Sequence, residues 1–274
     1  MISNIECLVT ACKELNISYS FLDKNQNCVA VGTEPFSFFI NASNPLNDES
    51  VAVLIKDKEF AYNALKDIVR MPETRAYFDP AHDEYGLYKT FNSHKETVED
   101  ILKSFALPIM IKRNKGARSA HVFRADTQEE TQKAITTVFD QKNKDYDYVA
   151  LAQTYIPSKT EYRVIVLDRK IEIAYEKNLE KWKALIVKDR KTLQELQKFI
   201  APIFKTIPLR WSGLDIVRGT DNKLYLLELN SKPGFEYFTQ NNDKKIIVDI
   251  YKKILEKLLG FRQEKTAGRT IRLK

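Results

Sequence analysis

The strongest constraint on this 274-residue chain is the stretch WSGLDIVRGTDNKLYLLELNSKPGF, residues 211–235, in which two apolar strands each carry a carboxylate. A turn centred on Asp221–Asn222 pairs residues whose numbers sum to 443. That register sets Asp215 opposite Glu228 and puts Asn230, two residues on, on the same face. The neighbours Leu214, Ile216, Val217, Leu226, Leu227 and Leu229 make both faces of the hairpin buried. Carboxylates opposed in such a place repel and lose hydration, so something positive must lie between them. Two readings satisfy this. A hard cation such as Mg²⁺ takes the carboxylate and amide oxygens and bridges to substrate phosphates, or one carboxylate pairs with a nearby Lys or Arg while Asn230 caps the turn at Lys232–Gly234. A one-residue slip would break the pairing altogether.

Two further constellations carry charge at strand ends. In PIMIKRNKGARSAHVF an apolar strand ends in Lys112, Arg113, Lys115 and Arg118 around the single Gly116, and a second strand leaves. Cations and backbone N–H groups on a β-turn suit phosphate oxygens, and a solvated basic hairpin tip is the alternative. In KTEYRVIV, Glu161 and Arg163 alternate with Tyr162 and Val164, so both project from one strand face, as a surface ion pair would.

The rest of the chain reads as α+β layers with mostly antiparallel sheets. Ser3 and Glu6 form a capping box before Ile5, Leu8, Val9, Cys12 and Leu15 at helical spacing. Short strands follow at 19–22, 28–31 and 36–40, then a linker, NASNPLNDES. A helix from Asp57 places Phe60, Ala61, Ala64, Leu65 and Ile68 on one face, and MPETRAYF ends it and starts a strand. Helices are expected at 96–105, 127–139 and 189–204, strands at 108–112, 120–124 and 148–156, and a hairpin from 161–167 with 170–175. A last helix carries Ile246, Ile247, Ile250, Ile254 and Leu258 and stops at Gly260.

Composition removes several function classes. The longest run without a charge is the 13 residues from Pro35 to Asn47, too short to span a membrane, and the N-terminus lacks a basic n-region, so a cytoplasmic protein is expected. Cys7, Cys12 and Cys28 are an odd set with no nearby histidine, which fits buried thiols better than zinc or disulfides. His82, His94 and His121 are the only histidines, and no glycine elbow presents a serine, so histidine-based nucleophilic catalysis is disfavoured. The net charge of +7 attracts polyanions, but its cations cluster at loops, which disfavours nucleic acid. The tail after Gly260 holds five basic residues and one acidic one, as a loosely held terminus or an arm for an acidic partner.

Taken in order, these segments resemble the ATP-grasp superfamily from about Val51 to Gly260. IKDKEFAYNALKDIVRMPETRAYF is similar to its first segment, PIMIKRNKGARSAHV to the lid strand and phosphate loop, and VALAQTYIPSKTEYRVIVLDRKIEIA to the adenine hinge and D/E-x-R strand. GLDIV and LYLLELNSKPGF resemble the metal-binding hairpin and its N-x-x-P-G turn. The amino-acid and peptide ligases, such as D-alanine–D-alanine ligase and the glutamate ligases that extend protein tails, are the nearest in pattern. The resemblance implies an ATP-grasp fold in which two α+β subdomains clasp ATP. The expected division is a short N-terminal α/β lobe at 1–50, a lid at about 75–152 and a metal-binding subdomain at about 153–260, both within 51–260, and the basic tail at 261–274.

The resemblance also implies residue roles. Lys58 and Lys112 would contact ATP phosphates, with Lys112 also reaching the adenine, and the loop around Gly116 would cover the triphosphate. Gln153 stands where the family often has an acidic residue at the adenine amine, and backbone groups of Thr154 and Ile156 would read the base edge. Glu161 would hold the ribose. Asp215, Glu228 and Asn230 would bind two Mg²⁺ ions, with Mn²⁺ as a substitute. Arg163, and less strongly Lys177, would steady an acyl phosphate formed when a substrate carboxylate takes the γ-phosphoryl group, before an amine displaces phosphate. The substrates implied are an amino acid or peptide carboxylate and an amine acceptor, near Phe235, Glu236 and Tyr237. A kinase of this fold and a catalytically silent nucleotide-binding regulator are the competing readings.

Three departures from the family pattern stand out. The lid loop has one glycine, no arginine occupies position 213 or 214 (Arg210 is a substitute to consider), and the N-terminal lobe is short. A short lobe implies a pocket that is open, completed by a second subunit of a homo-oligomer, or suited to a long peptide.

Overall fold

A computed structural model of the chain describes residues 3–82, 88–116, 121–178 and 182–260. The expected basic tail and Arg118 of the lid loop lie outside the described residues. Among the described residues no helix is long and apolar enough to cross a membrane. The chain divides into two compact units, one of residues 1–46, 179–184 and 232–274, the other of 47–178 and 185–231.

In the first unit, α1 (Ser3–Glu14) lies against α9 (Lys245–Leu259) beside a three-stranded antiparallel sheet of β1 (Tyr19–Phe21), β2 (Cys28–Val31) and β3 (Ser37–Ile40). The helical spacing read from sequence is met: Ile5, Leu8, Val9 and Cys12 are buried on α1, and Ile247, Ile250 and Ile254 on α9. Leu15, Ile246 and Leu258 are half-buried, and the Ser3 side chain lies outside the described residues. Asn4, fully buried, donates through Nδ2 to the Pro233 carbonyl at 3.0 Å and to the Tyr251 hydroxyl at 3.1 Å. α9 ends at Gly260, whose φ of +71° is the left-handed cap that glycine adopts without a Cβ penalty. Burial pushes the Cys7 and Cys12 thiols up to about 11 and about 12, so both are unreactive thiols of the apolar interior, while Cys28 is half-buried.

The second unit holds two antiparallel sheets. The first has the order β4-β7-β5-β6, from β4 (Thr74–Phe78), β5 (Ile109–Arg113), β6 (Val122–Ala125) and β7 (Val149–Thr154). Its outer face packs on α4 (His94–Ser104) and α5 (Gln128–Val138), burying Tyr77, Ile101, Ile109, Ile111, Ile135 and Val138. Ser93 and Thr127 cap these helices by accepting from the N–H groups of Glu96 and Glu130. The second sheet has the order β10-β9-β8-β11-β12, from β8 (Ser158–Leu167), β9 (Lys170–Asn178), β10 (Lys183–Ile186), β11 (Trp211–Gly219) and β12 (Leu224–Asn230), with Leu185 and Ile186 of β10 in this unit. α2 (Glu49–Lys56), α3 (Lys58–Leu65), α6 (Arg190–Ile200) and α7 (Ile203–Thr206) cover one face, over Val164, Leu214, Ile216, Leu226 and Leu229. The opposite face carries Glu161, Arg163 and Asp215 among buried apolar residues such as Ile165, Trp211 and Val217. These are the α+β layers with antiparallel sheets that the sequence pattern implied.

Three local expectations change. The segment before Asp57 contains α2, which the linker signal hid. α3 is only eight residues long, so Phe60 at 52% and Ile68 at 41% are exposed, while Ala61 and Leu65 face the core. The helix expected over 189–204 breaks into α6 and α7 at Pro202, which lacks the N–H that a continuous helix needs.

The hairpin register is right for a compensated reason. The turn pairs Gly219 N–H with the Lys223 carbonyl, so its centre is Asp221, and Ile216↔Leu226, Val217↔Tyr225 and Arg218↔Leu224 sum to 442. A bulge between Asp215 and Ile216 adds one residue and restores Asp215↔Glu228 and Gly213↔Asn230.

β11 is entered through Asn47, whose Oδ1 accepts from the N–H groups of Arg210 at 2.9 Å and Trp211 at 3.1 Å and whose Nδ2 donates to the Trp211 carbonyl at 2.7 Å. Asn47→Ala strands these backbone groups and is expected to cost roughly 1–3 kcal/mol, read as a lower urea midpoint at unchanged slope. A loss below about 0.5 kcal/mol would mean that water replaces the side chain there.

Candidate functional site

The polar face of the five-stranded sheet carries a row of charges because its strands are in register. Arg163 of β8 lies directly opposite Asp215 of β11, which lies opposite Glu228 of β12. Alternation then brings Glu161, Lys177 and Asn230 to the same face. Arg163 Nε is 2.7 Å and Lys177 Nζ 2.8 Å from the same Asp215 oxygen, Oδ1. Lys177 also donates to Glu161 Oε1 at 2.5 Å. The Asn230 amide spans the other side, with Nδ2 3.3 Å from Asp215 Oδ2 and 3.1 Å from Glu228 Oε1.

Asp215 is only 4% exposed. Burial works to raise its pKa, but the Arg163 and Lys177 cations outweigh it and hold the carboxyl at about 2. Lys177 and Arg163 are in turn held above their ordinary values: burial opposes this, and Asp215 overcomes it in both cases. Of the two sequence readings, the pairing of one carboxylate with a basic side chain is met in its first half. Asp215 does pair with an arginine and a lysine, and Asn230 bridges the carboxylates instead of capping the following turn.

The other sheet supplies further cations. Lys112, at the end of β5 and 6% exposed, donates to Gln153 Oε1 at 2.9 Å. Its pKa falls to about 8, first because it is buried and then because Lys58 repels it, against the attraction of Glu228 and Asp215. Lys58 lies 3.6 Å from Glu228 Oε2 and donates to the carbonyls of Asn114 and Gly116, each at 3.1 Å. Four cations (Lys58, Lys112, Arg163 and Lys177) thus surround three carboxylates (Glu161, Asp215 and Glu228). The surplus is positive and suits an anionic ligand.

Not every expected residue joins this group. Arg113 turns to Asp145 at 3.0 Å, and exposed Lys115 lies over the Tyr148 ring and 3.9 Å from Asp57, so both are paired away from this cluster. Gly116 enters through its carbonyl on Lys58. Gln153 is buried among Lys112 and Thr74. The Thr154 N–H is already spent on the Glu73 carbonyl at 2.9 Å, and Ile156 is half-buried two residues further on.

Two residues that sequence reading passed over hold the site together. Asn114, 1% exposed, donates to Asp57 Oδ2 at 2.8 Å and accepts from the Glu59 N–H at 3.0 Å, locking the basic turn to the start of α3, where Asp57 caps the Phe60 N–H. Thr74 of β4 accepts from Gln153 Nε2 at 2.8 Å. Both lie in segments that the resemblance matched, IKDKEFAYNALKDIVRMPETRAYF and PIMIKRNKGARSAHV, but no role followed for either from the pattern alone.

A hard divalent cation takes several oxygens. Among the described residues no three His, Cys, Asp or Glu side chains form a metal cluster. Asp215 and Glu228 with the Asn230 amide turned to present its oxygen do make an all-oxygen set, converging at the one place where Asn230 already touches both carboxylates. The donor chemistry therefore fits Mg²⁺.

Lys112 gives a direct test of this electrostatic arrangement. Because its folded pKa of about 8 lies below the ordinary 10.5, the folded state sheds its proton first, and stability rises with pH between those values. Lys112→Met is expected to lose that rise, on the order of 2–3 kcal/mol, in urea midpoints followed from neutral to alkaline pH. Parallel curves for the two proteins would show an ordinary, hydrated Lys112.

Comparison with known proteins gives consistent matches. The family model for RimK-like ATP-grasp domains matches residues 78–258. The D-alanine–D-alanine ligase of Haemophilus ducreyi is 23% identical over 152 residues, covering 50% of this chain and 48% of that protein. Among solved structures, the VanG D-Ala:D-Ser ligase of Enterococcus faecalis superposes with a TM-score of 0.60 at 17% identity, over 78% of this chain and 63% of that one. The ATP-grasp ligase PsnB, in complex with its precursor peptide PsnA2 and AMPPNP, gives 0.52 at 17% identity, over 74% and 59%. PsnB with a phosphomimetic minimal precursor, Mg and ADP gives 0.50 at 18%, over 75% and 59%. The chain spans about half the length of the curated relative and under two thirds of these solved chains.

Proposed function

The chain belongs to the RimK-like ATP-grasp family, and on that premise we propose that it is an ADP-forming ligase joining the carboxylate of an amino acid or peptide to an amine. The observation that carries the reading is the convergence of Asp215, Glu228 and Asn230 on one sheet face, with Arg163 and Lys177 beside them and Lys58 and Lys112 brought in from α3 and β5. Such an arrangement matches the needs of phosphoryl transfer, where the protein chiefly positions groups and offsets charge.

Asp215, Glu228 and Asn230 would hold Mg²⁺, as one or two ions, which neutralises phosphate charge when bound. Lys58 and Lys112 bind phosphate oxygens from the opposite side. A substrate carboxylate oxygen bonds to the γ-phosphorus, the bond to the β-phosphate oxygen breaks, and ADP leaves. The amine nitrogen then attacks the acyl carbon, the carbon–oxygen bond to phosphate breaks, and the ammonium so formed loses a proton. Arg163 and Lys177 steady the negative charge of the acyl phosphate and of the tetrahedral adduct. Both can do so because one Asp215 oxygen fixes their positions. Glu161, held by Lys177, would take the ribose hydroxyls.

Turnover of ATP and Mg²⁺ in hydroxylamine, with pools of amino acids and peptides, is expected to yield hydroxamates, which identify the activated carboxylate by mass. ADP with a stable phosphorylated product instead would make the protein a kinase. Asn230→Ala is expected to lower ATP turnover at least about a hundredfold while the melting curve stays cooperative. Near-normal turnover by that folded variant would remove the metal assignment.

A further inference from the structure

The three-stranded sheet of the first unit has two unlike faces. Val29, Val31 and Phe39 are buried on one of them, where the Phe39 ring lies 6.5 Å from that of Tyr251 on α9. Alternation sends the residues between them to the other face. The register forms two cross-strand rows there, Ser20–Ala30–Phe38 and Leu22–Cys28–Ile40. Leu22 is 57% exposed and Phe38 and Ile40 49% each, and Phe36, two residues before Phe38, is 40% exposed. None of these residues is charged, although charged residues make up 30% of the chain. The longest charge-free run of the sequence, 35–47, contains three of the four exposed apolar side chains. An antiparallel sheet with one face in water ordinarily turns polar residues to that side, and this one does the reverse.

We propose that the chain forms a homodimer by stacking this sheet face on the same face of a second copy about a twofold axis, with Leu22, Phe38 and Ile40 in the contact. The chemistry of the face selects that occupant. A charged surface laid against it would lose hydration and gain no counter-charge, whereas an uncharged apolar face carries no such penalty. The face itself is such a surface, so its own copy complements it. Contact is face to face because the edge of β3 is closed at one end: Ile40 exchanges both backbone hydrogen bonds with Ser43, at 3.3 and 2.8 Å. The four half-exposed side chains and the serines beside them amount to roughly 500 Å². Two copies therefore bury on the order of 1,000 Å² in all, the low end for a specific interface, and the dimer exchanges with monomer. The proposal does not depend on the nucleotide reading above.

Sedimentation velocity of the full chain from about 1 to about 300 µM is expected to pass from monomer to dimer, with half-association at tens of micromolar. Phe38→Glu sets like charges into the contact and is expected to raise the dissociation constant at least about tenfold. Leu22→Lys does the same from the opposite edge strand, and it reads the proposal if the Phe38 variant melts early. Cys28 lies within the face and ties the association to it, since Cys7 and Cys12 are buried. Its alkylation by N-ethylmaleimide is expected to slow as the dimer forms, and to stay fast in Phe38→Glu at the same concentrations. A monomer over the whole range overturns the proposal and leaves the face to a different partner. So does a dimer that either folded variant leaves intact, or one in which Cys28 reacts as fast as in the monomer.

Discussion

The larger unit is organised around one buried carboxylate. Asp215 sits buried on β11, between β8 and β12, where an uncompensated charge would cost several kcal/mol. Arg163 compensates it from the adjacent strand β8 and Lys177 from β9, one strand further, and Glu161 then offsets the repulsion between those two cations. Replacing such a cluster by well-packed apolar side chains is often neutral or stabilising, so the cluster is poor evidence of a stabilising role. What it supplies is a rigid set of charges in fixed positions. Preorganised charge acts on a reacting phosphoryl group without having to rearrange at the moment of reaction.

The four-stranded sheet completes the set from its own inner face. Ile109 and Ile111 point into the apolar layer beneath α4 and α5, so alternation along β5 puts Lys112 on the other side. Burial would strip Lys112 of its proton more fully were it not for Glu228 and Asp215. Asn114 then ties the turn after β5 to the start of α3, and through the backbone carbonyls at Asn114 and Gly116 it sets the place of Lys58. The basic turn is thus part of the site's framework as well as a source of cations. Its remaining charges on Arg113 and Lys115 are consumed by Asp145, Tyr148 and Asp57.

Much of the fold was readable because it rests on local physics. Thr127 and Asp189, where the sequence reading starts two helices, cap them by accepting from nearby N–H groups, and Ser93 does the same three residues before the start expected at 96. Gly260 ends α9 for an equally local reason. The face of α3 was misread because eight residues make only two turns, and periodicity over so short a span cannot separate Ala61 and Leu65 from exposed Phe60. The opposition of Asp215 and Glu228 followed from a turn placed half a residue off, and the bulge beside Asp215 corrected it. Bulges depend on what the strand must reach, and no residue pattern in the hairpin announces one.

The sequence by itself determined the ordered series of elements, the carboxylates on a buried hairpin and the strand faces that carry Glu161, Arg163 and Lys112, because alternation and turn position are properties of a few adjacent residues. Tertiary structure alone decided that Lys177 would share an Asp215 oxygen with Arg163, that Asn114 would hold Lys58 in place, and that Thr74 would lie against Gln153. Those contacts join positions 14 to 79 residues apart. Which side chains meet across such distances is set by sheet register and by the requirement that each buried charge find a partner, and both are satisfied only by the assembled chain.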